Sequence, residues 1–337
     1  MGRARWALGI LIVLLVAALY VAAQADTDYD TSRLLYDSGD TAYTRALAIA
    51  PDGGLLAIGS SGGDTLLIDV AAGTESQRLP AQDGGITSVA FSPDSRYVLS
   101  SAVPLAAEGS TSLTLWDTQE QSVVWQLVDV VVATAAAFSP DGVFIVTAGA
   151  TTRGFGAQMR ETRSGRLLRE FTGHTAIVWS VAFSPDGRYL LTGSEDARRG
   201  EDNSARLWDA ASGLLIRRFD HEAGVRSVAF APDGAHIVTG DALGVVRLWE
   251  TESGAETQRY DGHSNLISGL AFSPDGRSLL TGSWDLSARL WDAASGAETR
   301  LLRGDWVTAV AYAPDGSYVV ASFGDGSVRL WTLTDLG

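Results

Sequence analysis

Serine, histidine and aspartate recur at two places in this sequence, and a tryptophan ends each set. The two sets are His174, Ser194, Asp202 and Trp208, and His263, Ser283, Asp285 and Trp291. These polar residues are the types found in a hydrolase triad, where serine attacks, histidine acts as the base and aspartate orients it. They are also the types of a buried network, in which the carboxylate fixes the histidine tautomer and the indole N–H gains an acceptor. Because tryptophan terminates both sets, we favour the network and expect no catalytic residue.

A metal site is the second chemistry to consider. The four histidines are His174, His221, His236 and His263, and cysteine is absent, which excludes disulfides and thiolate zinc sites. Most of these histidines occupy equivalent places in different repeats, whereas metal ligands must converge within a few ångströms. The turn aspartates form no Asp-x-Asp-x-Asp run of the kind that calcium loops use. We therefore expect neither a metal nor another cofactor.

Composition describes a folded, acidic protein. The chain has 337 residues, 46% hydrophobic content and 37 glycines, so it can bury a large core and is rich in turns. Its formal net charge is -15, and every basic residue other than histidine is arginine. Nucleic-acid binding depends on clustered basic side chains, which are missing beyond the extreme N-terminus. We expect no nucleic-acid partner.

The N-terminus reads as an export signal. Arg3 and Arg5 precede an apolar run over residues 6–23, and Ala23-Gln24-Ala25 fits a signal-peptidase site. The run is also long enough to anchor the chain in a membrane if it is not cleaved. We assign residues 1–25 to a signal peptide or anchor and expect the protein to be exported, periplasmic or extracellular, with membrane contact only through residues 6–23.

A repeated turn divides the rest of the chain. Pro-Asp-Gly or Pro-Asp-Ser begins at seven prolines that stand 40 to 47 residues apart, namely Pro51, Pro93, Pro140, Pro185, Pro232, Pro274 and Pro314. Between these turns lie short β segments, four to a unit, and no unit shows helical periodicity. A period in the forties with four strands per unit predicts the blades of a β-propeller.

The repeats resemble the WD-repeat family. The family's Trp-Asp dipeptide is matched at Trp116-Asp117, Trp208-Asp209, Trp249-Glu250, Trp291-Asp292 and Trp331-Thr332, with degenerate Ile68-Asp69 and Met159-Arg160. Gly173-His174 and Gly262-His263 match its Gly-His. The resemblance implies an all-β, seven-bladed WD-repeat propeller, in which the two polar sets above are structural tetrads.

Ring closure follows from the register of the repeats. The chain stops soon after Trp331, which leaves the last blade without a fourth strand, while residues 33–37 read like the fourth strands of other units. We expect residues 33–37 to complete that blade, because closure removes an exposed sheet edge. Residues 26–32 are then a polar tether, residues 33–331 the propeller, and residues 332–337 a short tail.

The candidate contact surface lies around the central pore. Arg45, Trp179, Arg226 and Thr308 occupy equivalent points four residues before the end of their first strands, and the resemblance to WD-repeat proteins implies partner contacts around the pore at such points. Trp284 and Trp306 lie near the same face. Arginine and tryptophan are enriched in binding hot spots. The loops between second and third strands are lengthened over residues 103–111, 150–156 and 195–203 on that face, and insertions on one face of a repeat protein often mark the binding surface.

Two functions remain open at this stage. We favour a monomeric, non-catalytic scaffold that binds a protein or peptide partner on the face with the long loops. The alternative is a propeller enzyme or small-molecule binder, such as a glycan-processing one. That alternative requires inward-facing carboxylates about 5 to 10 Å apart at the pore.

Overall fold

The computed structural model describes residues 32–39, 42–104, 111–128, 133–151, 153–195 and 202–333, and every regular element in that part of the chain is a β-strand. The strands form seven antiparallel sheets of four strands each. The first four blades are β2 (Thr44–Ile49), β3 (Leu55–Ser60), β4 (Thr65–Asp69), β5 (Thr74–Leu79); β6 (Gly85–Phe91), β7 (Tyr97–Val103), β8 (Ser112–Asp117), β9 (Ser122–Val128); β10 (Ala133–Phe138), β11 (Phe144–Thr151), β12 (Gly154–Glu161), β13 (Leu167–His174); β14 (Ile177–Phe183), β15 (Tyr189–Glu195), β16 (Ser204–Asp209), β17 (Leu215–Asp220).

The remaining three blades are β18 (Val225–Phe230), β19 (His236–Asp241), β20 (Val246–Glu250), β21 (Glu256–Tyr260); β22 (Ile267–Phe272), β23 (Ser278–Ser283), β24 (Ser287–Asp292), β25 (Glu298–Arg303); β26 (Val307–Tyr312), β27 (Tyr318–Phe323), β28 (Ser327–Thr332) and β1 (Arg33–Asp37). The first strands of neighbouring blades contact one another in a closed ring, β2 touching both β6 and β26. The prediction of an all-β, seven-bladed propeller is confirmed.

The ring closes through the N-terminal strand, as the repeat register predicts. β1 pairs antiparallel with β28, with Arg33 opposite Leu330 and Asp37 opposite Ser327. Leu35 is buried in this blade and packs with Val328. Both ends of the chain therefore contribute strands to one sheet.

Two faces of the ring can be distinguished by their turns. We call the face with the turns between second and third strands the upper face, and the face with the Pro-Asp turns the lower face. On the lower face, Asp186 accepts hydrogen bonds from Ser184 Oγ at 2.6 Å and from the backbone N–H of Arg188 at 3.0 Å. The same contacts recur at Asp275. These aspartates thus hold their own turns, which is the ordinary role of aspartate there.

Apolar side chains fill the spaces between blades. Trp208, at the end of a third strand, is 2% exposed and packs against Phe171 of the preceding blade, their ring centroids 6.1 Å apart. Trp291 and Tyr260 repeat the arrangement in a later blade at 5.8 Å. In these blades the tryptophan therefore joins its blade to the one before it.

The outer strands add polar links between blades. Each donor stands two residues before a buried or half-buried residue of its fourth strand. Its side chain reaches a backbone carbonyl of the next blade's lower turn. Five such hydrogen bonds, with donor–acceptor distances of 2.7 to 3.1 Å, join Arg33 with the carbonyl of Val70, Gln77 with that of Thr118, Trp125 with that of Thr162, Arg169 with that of Ala210 and Arg217 with that of Glu252. Arginine, glutamine and tryptophan can all make this bond, because it requires only a side-chain N–H within hydrogen-bond distance of the carbonyl.

Candidate functional site

A β-bulge in every first strand shapes the upper mouth of the central channel. Each bulge places one extra residue in the first strand, and the seven such residues are Arg45, Thr87, Thr134, Trp179, Arg226, Ser268 and Thr308. A bulge re-aims the side chain of its extra residue. All seven, together with Tyr43, Leu266 and Trp284, line a cavity of about 400 Å³, which we call the upper mouth.

The structure thus brings together five of the six residues proposed from sequence as contacts. Trp306 lies beside the mouth, with its ring centroid 5.7 Å from that of Trp284. Sequence reasoning missed the bulge residues Thr87, Thr134 and Ser268. Each stands four residues before the end of its strand, as Arg45 does, so the same spacing could have found them.

Three hydroxyls at the bulges link neighbouring blades. Thr87 Oγ1 donates to the carbonyl of Ala133 at 2.7 Å, and Ser268 Oγ donates to that of Val307 at 2.6 Å. Thr134 makes the equivalent bond to the next first strand. Thr308 Oγ1 lies 2.8 Å from Ser322 Oγ within its own blade. The hydroxyl side chains of the mouth are therefore already engaged in holding the ring.

Arg226 is also held by neighbours in the protein. Its guanidinium carbon lies 3.9 Å from the centroid of the Trp179 ring, and the guanidinium forms an ion pair with the Glu195 carboxylate. Burial lowers the pKa of Arg226, and the nearby Glu195 charge opposes that effect. An arginine stays protonated under such a shift, so the pair is ionic. The charge of Arg226 is thus balanced inside the mouth.

Arg45 differs from Arg226 in its surroundings. Its guanidinium carbon is 5.8 Å from the centroid of the Tyr43 ring. Within the described part of the chain, no carboxylate pairs with Arg45 and no acceptor takes a hydrogen bond from it. One partly buried positive charge in the upper mouth is therefore left unbalanced.

An aromatic rim stands beside Arg45 on the upper face. Tyr43, Trp306 and Trp284 are 38%, 42% and 43% exposed. The ring of Trp306 lies edge-on to Tyr43 at 6.4 Å and tilted to Trp284 at 5.7 Å. Gly324 lies directly under Trp306, where an added Cβ would fall 1.0 Å from Nε1. The missing side chain at Gly324 therefore makes the space that the Trp306 indole occupies.

The turn next to the rim contains an unusual leucine. Leu286 has φ of 69°, and it is 51% exposed. The corresponding turn positions in other blades are Gly63, Gly244 and Gly326, which adopt φ of 95°, 89° and 86°. A leucine in this left-handed region is sterically unfavourable, and strain of this kind concentrates at functional sites.

The two polar sets singled out in the sequence form buried hydrogen-bond networks. His174 Nδ1 lies 2.8 Å from Asp202 Oδ2, and His174 Nε2 lies 2.8 Å from Thr192 Oγ1. Trp208 Nε1 donates to the same Thr192 hydroxyl at 2.9 Å. Burial, more than the opposing Asp202 charge, lowers the pKa of His174. A neutral imidazole that donates to Asp202 and accepts from Thr192 satisfies all four groups.

The expectation that Ser194 and Ser283 supply the hydroxyls is wrong. Ser194 Oγ donates to the carbonyl of Ala176 at 3.0 Å, and Ser283 Oγ donates to that of Asn265 at 2.9 Å. In the second network Thr281 Oγ1 contacts His263 Nε2 at 2.6 Å and Trp291 Nε1 at 2.9 Å, while Asp285 contacts His263 Nδ1 at 2.8 Å. Side chains alternate along a strand, so the threonine two residues earlier shares the serine's face and lies nearer the indole.

Two further networks were missed from the sequence. His221, Asp241, Thr239 and Trp249 form a third, with His221 Nε2 2.9 Å from Thr239 and Trp249 Nε1 2.8 Å from it. Its carboxylate, Asp241, lies at the end of the second strand and not in the turn that follows. The sequence comparison with the other two networks therefore did not find it. In the second blade, Gln82 takes the place of histidine and accepts from Ser112 Oγ at 2.7 Å.

Neither end of the channel shows paired acids. The lower mouth, a cavity of about 590 Å³, is lined by alanines, prolines and phenylalanines such as Phe91, Phe138 and Phe183. The described lining of both mouths contains no aspartate or glutamate. In the same described residues, no three His, Asp or Glu side chains come close enough to hold a metal ion. The described residues therefore do not supply the pair of carboxylates that the glycan-processing alternative requires.

The lengthened loops of the upper face are only partly visible. Most of the insertions at residues 103–111 and 195–203 lies outside the described residues. The insertion at residues 150–156 is mainly strand, because β11 and β12 continue to Thr151 and Gly154. The proposed signal or anchor over residues 1–25 also lies outside the described part, in which no helix suited to crossing a membrane is found.

Comparison with known proteins agrees with this architecture. The chain is 32% identical over 187 residues to Transcription initiation factor TFIID subunit 5 of Caenorhabditis elegans, covering 55% of this chain and 26% of that protein. It is 32% identical over 142 residues to an uncharacterized WD repeat-containing protein of Synechocystis, covering 42% and 36%. It is 29% identical over 116 residues to the Target of rapamycin complex subunit wat1 of Schizosaccharomyces pombe, covering 33% of each chain.

These relatives are matched over about a quarter to a third of their own length. Two of them are named as subunits of complexes. The family model "WD domain, G-beta repeat" matches residues 73–117, 165–209, 213–250, 254–292 and 296–332, which together make up more than half of the chain. Its seven blades, its buried tryptophans and these matches show that the chain belongs to the WD40 family of WD domain, G-beta repeat proteins.

Proposed function

We propose that this protein is an exported scaffold that binds a protein or peptide partner at its upper mouth and catalyses no reaction there. The observation that carries the proposal is the grouping of exposed aromatic side chains beside a cavity of about 400 Å³. Tyrosine and tryptophan displayed around a pocket are typical anchors for a partner chain. The rigid ring offers this surface with little ordering on binding.

The direction in which the chain enters the ring fits presentation away from a membrane. Arg33 lies near the lower face, since it bonds to the carbonyls of Val70 and Ala71 in a lower turn. Asp37, at the other end of β1, lies opposite Ser327 at the upper face. The segment that precedes residue 32 therefore joins the ring on its lower side. That entry point lies on the face opposite the upper mouth.

Export is tested by fusing alkaline phosphatase, which is active only outside the cytoplasm, to the C-terminus of the full chain. We expect an active fusion, and an inactive one when residues 1–25 are deleted. An inactive full-length fusion that is stably produced would refute export. The mass of the mature protein then decides between cleavage after Ala25 and retention of the segment as an anchor.

Partner binding is tested by photo-crosslinking in the producing cells. A crosslinking amino acid at Leu243, which is 61% exposed on the upper face, is compared with one at Arg277, whose side chain is 87% exposed on the lower face. We expect discrete polypeptide adducts from position 243 that are absent from position 277. Equal labelling at both positions, or no polypeptide adduct at 243, would argue against the upper mouth as the binding surface.

A further inference from the structure

We propose that the upper mouth recognises an extended peptide through a single carboxylate, which pairs with Arg45 while neighbouring apolar side chains of the peptide pack on the aromatic rim. The inference rests on the proposed function and names its ligand class. It concerns an acidic side chain or a free C-terminal carboxylate, since both offer the same two oxygens.

The charge balance of the mouth carries the first step. Arg45 and Arg226 are the cations among the described lining residues, and no acidic residue lines the cavity with them. Glu195 neutralises Arg226 from just outside the lining, but nothing described does so for Arg45. A guanidinium that is partly withdrawn from water binds a carboxylate strongly, through two parallel charge-assisted hydrogen bonds. The unbalanced charge therefore favours an anionic group in the mouth.

Arg45 is also held in place before any ligand arrives. Its guanidinium lies over the Tyr43 ring on one side. It also lies close to Gly85, where an added Cβ would come within 2.9 Å of Nη1. A side chain that is already ordered loses less freedom when it forms a bidentate pair.

The aromatic rim gives the second step. Tyr43, Trp306 and Trp284 contact one another in turn on the upper face. The upper turns also expose Leu286 and Leu243, and each of these five side chains is 38% to 61% exposed. These residues come from four neighbouring blades, so they follow the ring rather than one strand. Such a strip suits an extended chain whose apolar side chains pack successively on aromatic faces. Peptides with a carboxylate at one end of an apolar stretch match both features.

A basic peptide is the competing occupant. The net charge of -15 attracts cations at long range, and exposed tryptophan faces bind them by cation–π contact. Inside the mouth, however, a cation would face Arg45 with no described lining carboxylate to offset the repulsion. We therefore assign the mouth to an anionic group and leave the basic peptide as an outcome of the test.

The experiment selects displayed random octapeptides with free C-termini on the folded protein. We expect enriched sequences to carry Asp, Glu or an essential free C-terminus next to aromatic, proline or aliphatic residues. Synthetic copies in which the side chain is changed to Asn or Gln, or the C-terminus is amidated, identify which carboxylate is used. Removing the essential carboxylate should weaken binding at least tenfold, as expected for losing one partner of a charged hydrogen-bonded pair.

Matched variants connect this loss to Arg45. Arg45→Gln should weaken the acidic peptide at least tenfold and should make binding insensitive to loss of the peptide carboxylate, whereas Arg277→Gln on the lower face should leave both affinities unchanged. Thermal melting of the two variants should agree, since Arg45 has no described ion pair to lose and the pair of Arg277 with Asp275 joins two exposed side chains. Equal binding of the acidic peptide to wild type and to Arg45→Gln would overturn the inference.

Failure of this inference differs from failure of the proposed function. Selection could instead yield Lys- or Arg-rich peptides, or peptides without an essential carboxylate, whose binding is lost in Trp306→Ala. That result would overturn the proposed recognition of a carboxylate but would keep the upper mouth as a binding surface. If no selected peptide depends on Trp306 or Arg45, both the inference and the proposed function are wrong.

Discussion

Arg226 lies over the Trp179 ring, its guanidinium carbon 3.9 Å from the ring centroid, and forms an ion pair with Glu195 at the same time. The Glu195 and Arg226 side chains are only 8% and 21% exposed. Removing one partner of a poorly solvated ion pair leaves the other charge unpaired. We therefore expect Glu195→Gln to lower the free energy of unfolding by about 1–3 kcal/mol.

The double variant Glu195→Gln with Arg226→Met separates this effect from simple loss of packing. Its loss of unfolding free energy should be smaller than the sum of the losses in the two single variants, because no uncompensated charge remains. Urea denaturation of the four proteins measures the coupling. Strict additivity would mean that the two side chains have no energetic coupling. Substituting Arg226 alone is thus a poor test of partner binding.

Thr192 should matter more than Ser194 for stability, contrary to the expectation from sequence. Thr192→Val leaves both the Trp208 N–H and the His174 ring nitrogen without a partner, and we expect a loss of about 2–4 kcal/mol. Ser194→Ala removes a donor to two carbonyls and should cost about 1 kcal/mol. Chemical denaturation ranks the two variants. A larger loss in the serine variant would contradict the hydrogen-bond assignment.

Acid should destabilise the protein in two pH ranges. Burial would by itself raise the pKa of Asp285, but hydrogen bonds from His263 and Ser287 outweigh it and lower that pKa to about 2. A lowered carboxyl pKa gives stability that is present above the unfolded value of about 4 and disappears as pH falls towards 2. The lowered pKa of buried His174 adds a loss that begins as pH drops below about 6.5, where the unfolded histidine takes up a proton.

Melting temperatures measured between pH 8 and pH 2 test both ranges. Asp285→Asn should be less stable at pH 7 but should lose less further stability between pH 4 and pH 2 than the wild type. An unchanged slope in that range would show that Asp285 does not carry the acid sensitivity.

Ring closure can be tested with two adjacent leucines of β1. Leu35 is 5% exposed and packs with Val328 and Leu330, whereas Leu34 is 50% exposed. We expect Leu35→Ala to cost about 2–4 kcal/mol, as for other buried leucines. Leu34→Ala should stay within about 0.5 kcal/mol of the wild type. Equal effects in thermal or urea melts would mean that β1 does not complete the last blade in solution.

Leu286→Gly should weaken binding while it preserves or raises stability. Glycine removes the steric penalty of about 1–2 kcal/mol for a left-handed residue, partly offset by its greater freedom when unfolded. We expect a net gain of up to about 1 kcal/mol in urea denaturation and weaker capture of peptides selected on the wild type. Gly244→Ala, the reverse change at φ of 89°, should lower stability. A clear loss of stability in Leu286→Gly would show that the leucine is retained for packing.

The blade count and the closing strand were predictable because both follow from a repeated spacing. Seven Pro-Asp turns mark the units, and the similarity of residues 33–37 to other fourth strands predicts the pairing with β28. The bulge positions were predictable in part, since Arg45, Trp179, Arg226 and Thr308 were singled out by their equivalent places in the first strands. Thr87, Thr134 and Ser268 occupy the same place, and the same spacing could have found them.

Other features depend on distances that no spacing reveals. Thr192 and Ser194 share one face of β15, and only the packed structure shows which hydroxyl meets the indole. The third network escaped notice because Asp241 reaches His221 from a strand end. The imbalance between Arg45 and Arg226 likewise arises from Glu195, which is distant in sequence from Arg226 and adjacent to it in space.

The pairing of β1 with β28 also sets an order of events during biosynthesis. Blades one to six each contain four consecutive strands, whereas the seventh needs two segments separated by nearly the whole chain. Bringing such distant segments together is slow compared with local pairing. A growing chain can assemble six blades as they emerge, but Arg33–Asp37 must wait with an unsatisfied edge until β28 has been synthesised. Chains truncated before β28 should consequently expose that edge and be prone to aggregation.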